Sequence, residues 1–167
     1  SINVTIYATA IAAKMGYDDK RLREIAMGAL FHDIGKTMIP LEIIKKPGKL
    51  TEGEFEIVKK HTGFGYNILR QQPTIPLSSA YCAFQHHERM DGSGYPKGAK
   101  GDDIHPYAKI IAVADVFDAL TSKRSYRNAI LPHDALEILF AETNKHLDCM
   151  AVQAFQRSIA VYPVGAS

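Results

Sequence analysis

The sequence predicts an all-α fold, a single-domain helical bundle that takes up most of its 167 residues. Apolar residues recur at steps of three and four along nearly the whole chain, which is the period of an amphipathic helix. No run alternates between apolar and polar residues as a half-buried strand would. Even the apolar run 110–117 is long and rich in alanine, which favours a buried helix. Prolines and glycines stand between these segments, where helices stop and turns begin.

The first half of the chain carries clear helix signals. A helix is predicted to open the chain from residues spaced by three and four: Ile2, Ile6, Thr9, Ala10 and Ala13. The second helix is predicted to begin at an aspartate N-cap after Tyr17 and to end at Gly35. Thr51 and Glu54 form a capping-box pattern, which predicts a helix from there to about Arg70.

The second half continues the helical pattern around one long loop. Residues 77–88 are predicted to form a helix, and the following segment 91–106 contains four glycines and two prolines. A loop of this length without secondary structure is usually functional. Pro106 and Pro132 each suit the first position of a helix. A last helix is predicted for 150–161.

Composition excludes several classes of function. Hydrophobic residues make up 46% and charged residues 23%, and the formal net charge is only +2, so no global field favours DNA. An anion site would have to be local. Cys82 and Cys149 lack metal or redox spacing and are expected to be small buried residues in a reducing compartment. No apolar run reaches the roughly 18 residues of a membrane span.

Two features suggest ionisable groups in apolar surroundings. His32 and Asp33 stand together at the end of an apolar helix, and Asp115 lies inside the apolar run 110–117. An ionised carboxylate buried there is costly unless it is paired or bound to a metal. Adjacent helical residues point about 100° apart, so Asp33 is better suited to bridge two ions while His32 binds one of them.

Three further histidines belong to the same set. His61 is followed by Gly63 and Gly65, which interrupt a helix at a cost of about 1 kcal/mol each. That cost suggests close packing or close approach of a ligand. His86 and His87 are adjacent at a predicted helix end, and Glu88 is expected to orient these ligands or the loop that follows.

These candidates come from four helical segments, which a bundle can direct at one site. Mixed imidazole and carboxylate ligands suit iron, manganese or zinc better than magnesium or calcium. Any one of these histidines could instead be a hydrogen-bonded core residue, but the doublets together favour a metal centre. The remaining three, His105, His133 and His146, do not belong to such doublets and are expected to be surface or structural residues.

The motifs resemble a known family. The stretch HDIGK (32–36) resembles the signature of the HD superfamily of metal-dependent phosphohydrolases, and HHERMDGSGYP (86–96) resembles the motif of its HD-GYP subfamily. The likeness extends over essentially the whole chain, 1–167. It implies a helical bundle of the HD type that hydrolyses cyclic di-GMP on two or three divalent ions, iron or manganese above all. It also implies a bacterial cytoplasmic module joined to a sensor or receiver domain.

The resemblance assigns roles to individual residues. It implies six metal ligands: His32, Asp33, His61, His86, His87 and Asp115. Asp33 would bridge the ions and Lys36 would contact the scissile phosphate, which makes both catalytic candidates. It implies substrate contacts from Lys36, Gly94, Tyr95, Pro96, Arg124 and Arg127. Tyr95 and Pro96 also offer a stiff face for a nucleobase or a partner protein. Residues 91–106 are named the GYP loop.

The family pattern differs from this chain at its start, where a further ligand histidine directly precedes the position of Ser1. We therefore expect a fragment whose first helix is truncated and whose metal centre is incomplete. Three alternatives remain open at this point. The chain could hydrolyse another cyclic dinucleotide such as cyclic GMP-AMP, bind a cyclic dinucleotide or partner without turnover, or be a di-iron oxygenase. The product of cyclic di-GMP cleavage, pGpG or GMP, is also open.

Overall fold

The computed structural model describes residues 1–123 and 128–161, with side chains through 159, and is all-α as predicted. The described part contains nine α-helices: α1 Ile2–Lys14, α2 Asp19–Phe31, α3 Leu41–Ile44, α4 Glu52–Lys59, α5 His61–Arg70, α6 Leu77–Gln85, α7 Pro106–Thr121, α8 Pro132–Ala141 and α9 Cys149–Val161. Two short 3₁₀ helices, Ile34–Met38 and Gly101–Asp103, lie between them. None of the described helices is both long and apolar enough to cross a membrane.

Several helix ends differ from the predicted ones. The second helix stops at Phe31, and the chain continues as a 3₁₀ helix through Met38. The helix predicted from Thr51 to Arg70 is divided at Lys60, which ends α4 and precedes α5. Helix α6 ends at Gln85, so that His86 and His87 follow it as a turn. Each of these breaks precedes or follows a candidate ligand.

The predicted start signals are confirmed. The Asp18 side chain accepts a hydrogen bond from the Arg21 N–H, and Thr51 and Glu54 form a reciprocal capping box. Pro106 and Pro132 occupy first-turn positions of α7 and α8. These local signals act within a few residues, which is why sequence alone identifies them.

Helix α1 buries a different face from the one that its spaced apolar residues suggested. Val4, Ala8 and Ile11 are buried, whereas Ile2 and Ile6 are 72% and 56% exposed. Helix α1 is apolar on more than one side, so periodicity cannot select the buried side. Packing against α2, α7 and α9 does so. The main core lies among these helices, and its largest members include Phe155, Ile110 and Ile111.

Close backbone packing ties α5 to the 3₁₀ helix 34–38. A Cβ on Gly35 would lie 1.9 Å from the His61 carbonyl oxygen, so only glycine fits there. A Cβ on Gly65 would lie 3.2 Å from the Ala83 Cβ, which makes that position tight as well. Gly63 has open space around it, so the expectation of close packing there is wrong.

Candidate metal centre

The six predicted ligands meet where several helix ends approach the middle of α7. His32 and Asp33 follow α2, and His61 is the first residue of α5. His86 and His87 follow α6, and Asp115 lies inside α7. The structure therefore brings together residues that are more than 80 positions apart in the chain.

Asp33 lies at the centre of the cluster. Its Oδ1 is 3.4 Å from the Nε2 atoms of both His61 and His86. Its Oδ2 is 3.2 Å from the Nε2 of His32, which is itself 3.4 Å from Asp115 Oδ1. The two carboxylate oxygens of Asp33 thus face different histidines.

The ligand atoms form two overlapping groups, each with all members within 4.8 Å of one another. The first group comprises Asp33, His61, His86 and His87, and the second comprises His32, His86 and Asp115. His86 belongs to both, and Asp33 contacts His32 of the second group. This arrangement provides donor atoms for more than one ion.

Backbone carbonyls orient three of the histidines. The Nδ1 atoms of His32 and His61 each lie 2.6 Å from the carbonyl oxygen three residues earlier. His86 Nδ1 lies 3.0 Å from the Cys82 carbonyl oxygen. A carbonyl only accepts, so each Nδ1 donates its proton, and the Nε2 atom of each ring is the one that faces the centre. Metal-ligating histidines are held in the same way.

The resulting site fits a metal. With Nδ1 protonated, the Nε2 atoms of His61 and His86 face each other at 3.4 Å, and both face Asp33 Oδ1, so three acceptors converge without a donor. Asp33 Oδ1 and His32 Nε2 are buried without a well-formed hydrogen bond to any described residue. Such convergence is costly unless a cation is present. Neutral imidazole and carboxylate are the donors that iron, manganese and zinc accept.

The protonation states agree with this assignment in all but one place. Burial raises the pKa values of Asp33 and Asp115, but the close histidine side chains, His32 first, outweigh it and leave both pKa values below their usual range. Burial lowers the pKa of His86, and it lowers that of His87 to about 2. Burial also lowers the pKa of His32, but Asp115 and Asp33 outweigh it and raise the value to about 10. Without metal, His32 therefore carries a second proton on Nε2, between the carboxylates of Asp33 and Asp115.

Lys36 lies at the exposed side of the cluster. It belongs to the 3₁₀ helix 34–38, and its Nζ is 3.2 Å from Asp33 Oδ2. The side chain is partly exposed, so it can approach an anionic ligand from solvent while its charge stays beside the ligand set. This position suits the phosphate contact that the motif predicts.

The GYP loop packs directly on the turn formed by His86 and His87, which is named the ligand turn. The Tyr95 ring stacks on the His87 ring with centroids 4.8 Å apart and planes 18° apart. The Tyr95 N–H donates to the His87 carbonyl oxygen. A Cβ on Gly94 would lie 2.2 Å from that same oxygen, which explains the glycine. Tyr95 and Gly94 therefore support His87, in addition to any contact with substrate.

Glu88 fixes the backbone of the GYP loop through hydrogen bonds. It is buried, and its carboxylate accepts hydrogen bonds from the backbone N–H groups of Lys97, Gly98 and Ala99. The expectation that Glu88 orients the loop is confirmed. The sequence showed an acid after the histidine pair, but it could not show which donors the acid would meet.

The three remaining histidines lie outside the cluster, as predicted. His105 Nδ1 accepts from the Tyr107 N–H and caps α7. His133 is exposed beside Asp134, and His146 contacts Glu142 at the surface. Arg124 and Arg127 lie outside the described residues.

Comparison with known proteins agrees with the motifs. The model of a family described as HD domain matches residues 2–150. The cyclic di-GMP phosphodiesterase response regulator RpfG of Xanthomonas campestris is 43% identical over 154 residues, 92% of this chain and 41% of that protein. The 3′3′-cGAMP-specific phosphodiesterase 2 of Vibrio cholerae is 38% identical over 151 residues, 90% of this chain and 29% of that protein. The chain thus spans well under half of the length of either relative.

A solved structure shares the fold. Bd1817, an HDG"Y"P protein from Bdellovibrio bacteriovorus, superposes with a TM-score of 0.76 at 23% identity and covers 95% of this chain and 50% of that one. The family match covers most of the chain, and the motif residues form one cluster. The chain therefore belongs to the HD domain family, within the HD-GYP subfamily that its sequence resembles.

Proposed function

We propose that this chain is a metal-dependent phosphodiesterase that hydrolyses a cyclic dinucleotide, with cyclic di-GMP as the first candidate and 3′3′-cGAMP as the second. The observation that carries the proposal is the convergence of histidine Nε2 atoms and carboxylate oxygens on a cation site with Lys36 beside it. The names of the relatives support the substrate class.

The donor set supports a centre of two or three divalent ions, iron or manganese in first place. Asp33, the proposed bridging ligand, would be shared by two ions, and His86 belongs to both ligand groups. His32 and Asp115 would help to hold one ion, and His61 and His87 the other. When bound, such ions acidify water and neutralise charge on a phosphoryl group.

The chain's own residues then position the substrate. The Lys36 ammonium group lies where it can contact a non-bridging phosphate oxygen. When the phosphate binds, this contact replaces the ion pair between Lys36 and Asp33. Water adds to phosphorus, the P–O3′ bond breaks and the released 3′ oxygen takes up a proton from the water, which opens cyclic di-GMP to linear pGpG. A second cleavage would give GMP.

Other residues have proposed roles around this reaction. Gly94, Tyr95 and Pro96 would shape the substrate side of the site or a surface for a signalling partner. Arg124 and Arg127 would hold the second phosphate or a guanine edge. As the resemblance implies, we propose a bacterial cytoplasmic protein in which this domain is joined to a sensor or receiver domain.

The test is hydrolysis by anaerobically metal-loaded protein, followed by product analysis for pGpG and GMP. We expect turnover of cyclic di-GMP, of 3′3′-cGAMP or of both. Asp33→Ala should abolish turnover and lower the metal content by more than one ion per chain. His133→Ala is the matched control and should change neither quantity. A fully loaded wild-type protein that binds these nucleotides without cleaving them would overturn the proposal in favour of a binding module.

A further inference from the structure

A groove lies beside the metal centre and has no assigned role. It has a volume of about 880 Å³, and it runs between α3 and the start of α4. Its apolar lining includes Ile43, Leu50, Phe55 and Val58. This volume falls within the roughly 300–1,000 Å³ that is typical of small-molecule sites.

The groove is continuous with the candidate metal centre on two sides. Lys36 lines the groove, and its Nζ is 3.2 Å from Asp33 Oδ2. Phe55 also lines the groove, and its ring meets the Tyr95 ring edge-on with centroids 6.0 Å apart. Tyr95 in turn stacks on His87. A ligand whose phosphate lies at Lys36 would therefore extend its next group into the groove.

The charge of the groove suits a nucleotide. Lys36, Lys46 and Lys49 all line it, and because Glu54 pairs with Lys46 at 2.6 Å, the positive charge of the lining comes chiefly from Lys36 and Lys49. The ammonium group of Lys59 lies 4.9 Å from the centroid of the Phe55 ring and pairs with Glu56 at 2.9 Å. Lysines around an apolar slot match a flat base that is attached to a phosphate.

One face of α4 supplies a stacking surface and a carboxylate together. Glu52, Phe55 and Val58 are spaced by three residues, so they are neighbours on the same helix face, and all three line the groove. The Phe55 ring is 43% exposed, which leaves aromatic surface for a base. Glu52 is the one carboxylate among the described lining residues. A carboxylate accepts from the adjacent N1–H and N2–H₂ groups of guanine, whereas adenine lacks that pair of donors.

We propose that this groove is a guanine subsite, in which Phe55 stacks on the base and Glu52 accepts hydrogen bonds from its edge while the attached phosphate lies at Lys36. The inference rests on the proposed function, because it places one half of the cyclic dinucleotide. It makes guanine in one half of the substrate the determinant of specificity. Cyclic di-GMP and cyclic GMP-AMP both meet this requirement, and cyclic di-AMP does not.

The experiment measures binding of three small probes to manganese-loaded protein by calorimetry: GMP, AMP and ribose 5-phosphate. In the wild type, GMP should bind roughly tenfold or more tightly than ribose 5-phosphate, since base stacking on an aromatic side chain is worth that much. Phe55→Ala should remove this advantage for GMP and AMP alike. Glu52→Gln should weaken GMP and leave AMP unchanged. Leu77→Ala, which removes an exposed apolar side chain outside the groove, is the matched control and should change nothing.

Metal content is measured for every variant, because Phe55 contacts Tyr95. If Phe55→Ala loses metal, Leu50→Ala on another part of the groove lining provides the same test. Equal binding of GMP and ribose 5-phosphate to the wild type would overturn the subsite. The subsite would also be overturned if the variants lost affinity for ribose 5-phosphate to the same extent as for GMP. Failure of the proposed function is a separate result: the guanine preference would persist although no cyclic dinucleotide is cleaved.

Discussion

At the scale of single residues, hydrogen bonding to the backbone decides what the histidines can do. His32, His61 and His86 each donate Nδ1–H to a carbonyl, which leaves the Nε2 atom of each ring to face Asp33. His105 uses its ring for the opposite purpose, since its Nδ1 accepts from the Tyr107 N–H. The same side chain is thus a ligand candidate in one place and a helix cap in the other.

His32 gives a prediction for the pH dependence of metal binding. Its pKa is raised to about 10, so the metal-free protein holds this proton at pH 7, and a metal must displace it. His86 and His87 have lowered pKa values and have no proton to lose above neutrality. We expect release of about one proton per chain at pH 7.5, and an apparent metal affinity that rises about tenfold per pH unit from 7 to 8.5.

Calorimetry in two buffers of different ionisation enthalpy gives the number of protons released. His133→Ala should show the same number and the same pH slope. An affinity that is constant from pH 7 to 8.5 would show that His32 is neutral in the metal-free protein, or that it is not a ligand.

At the scale of elements, glycines set how closely the 3₁₀ helix 34–38 approaches α5. We predict that Gly35→Ala destabilises the protein by about 3 kcal/mol, because its Cβ would collide with the His61 carbonyl oxygen. The displacement separates Asp33 from His61, so metal affinity should fall as well. Chemical denaturation and metal titration measure the two effects.

Gly63→Ala is the matched control for this substitution. Its Cβ meets no atom within 4 Å, and it lies in α5, so replacement by alanine should stabilise the helix by up to about 1 kcal/mol. Metal affinity should remain at the wild-type value. Equal destabilisation by both substitutions would mean that the loss of stability does not come from the collision of the Gly35→Ala side chain with the His61 carbonyl oxygen.

The GYP loop and the ligand turn behave as one packed unit, which leads to a prediction about Tyr95. Tyr95→Phe should keep metal affinity because the stack on His87 depends on the ring. Tyr95→Ala should lower metal affinity several-fold, because His87 loses the aromatic contact that holds its orientation. Metal titration of both variants measures this. Unchanged metal affinity in Tyr95→Ala, with weaker binding of the cyclic dinucleotide, would instead assign Tyr95 to the substrate side alone.

At the scale of the whole molecule, the sequence predicts the parts whose causes are local or chemical. Helix starts follow from Asp18, Thr51 and the prolines, and the six ligand candidates follow from the adjacent histidine and aspartate residues together with the family resemblance of their motifs. The buried face of α1, the three donors that meet Glu88, and the groove at Phe55 depend on how distant segments pack. Periodicity within one segment contains no information about that packing.

The metal centre should therefore stabilise the fold as a whole. Its ligands join α2, α5, α6 and α7, and their converging acceptors repel one another when no cation is bound. A ligand that binds only the folded state at a thousandfold excess over its Kd adds about 4 kcal/mol. For a chain of this length, that corresponds to a rise in Tm of about 8–16 °C. Thermal unfolding with manganese and with a chelator measures the difference.

Two variants show whether the stabilisation comes from this centre. Asp33→Ala removes the residue that contacts both ligand groups, so manganese should raise its Tm by only a few degrees. His133→Ala should retain the full shift, because His133 lies at the exposed start of α8. A full shift in Asp33→Ala would mean that manganese stabilises the protein from another site. No shift in the wild type would mean that the cluster is stable without an ion, because its acceptors are satisfied by protons.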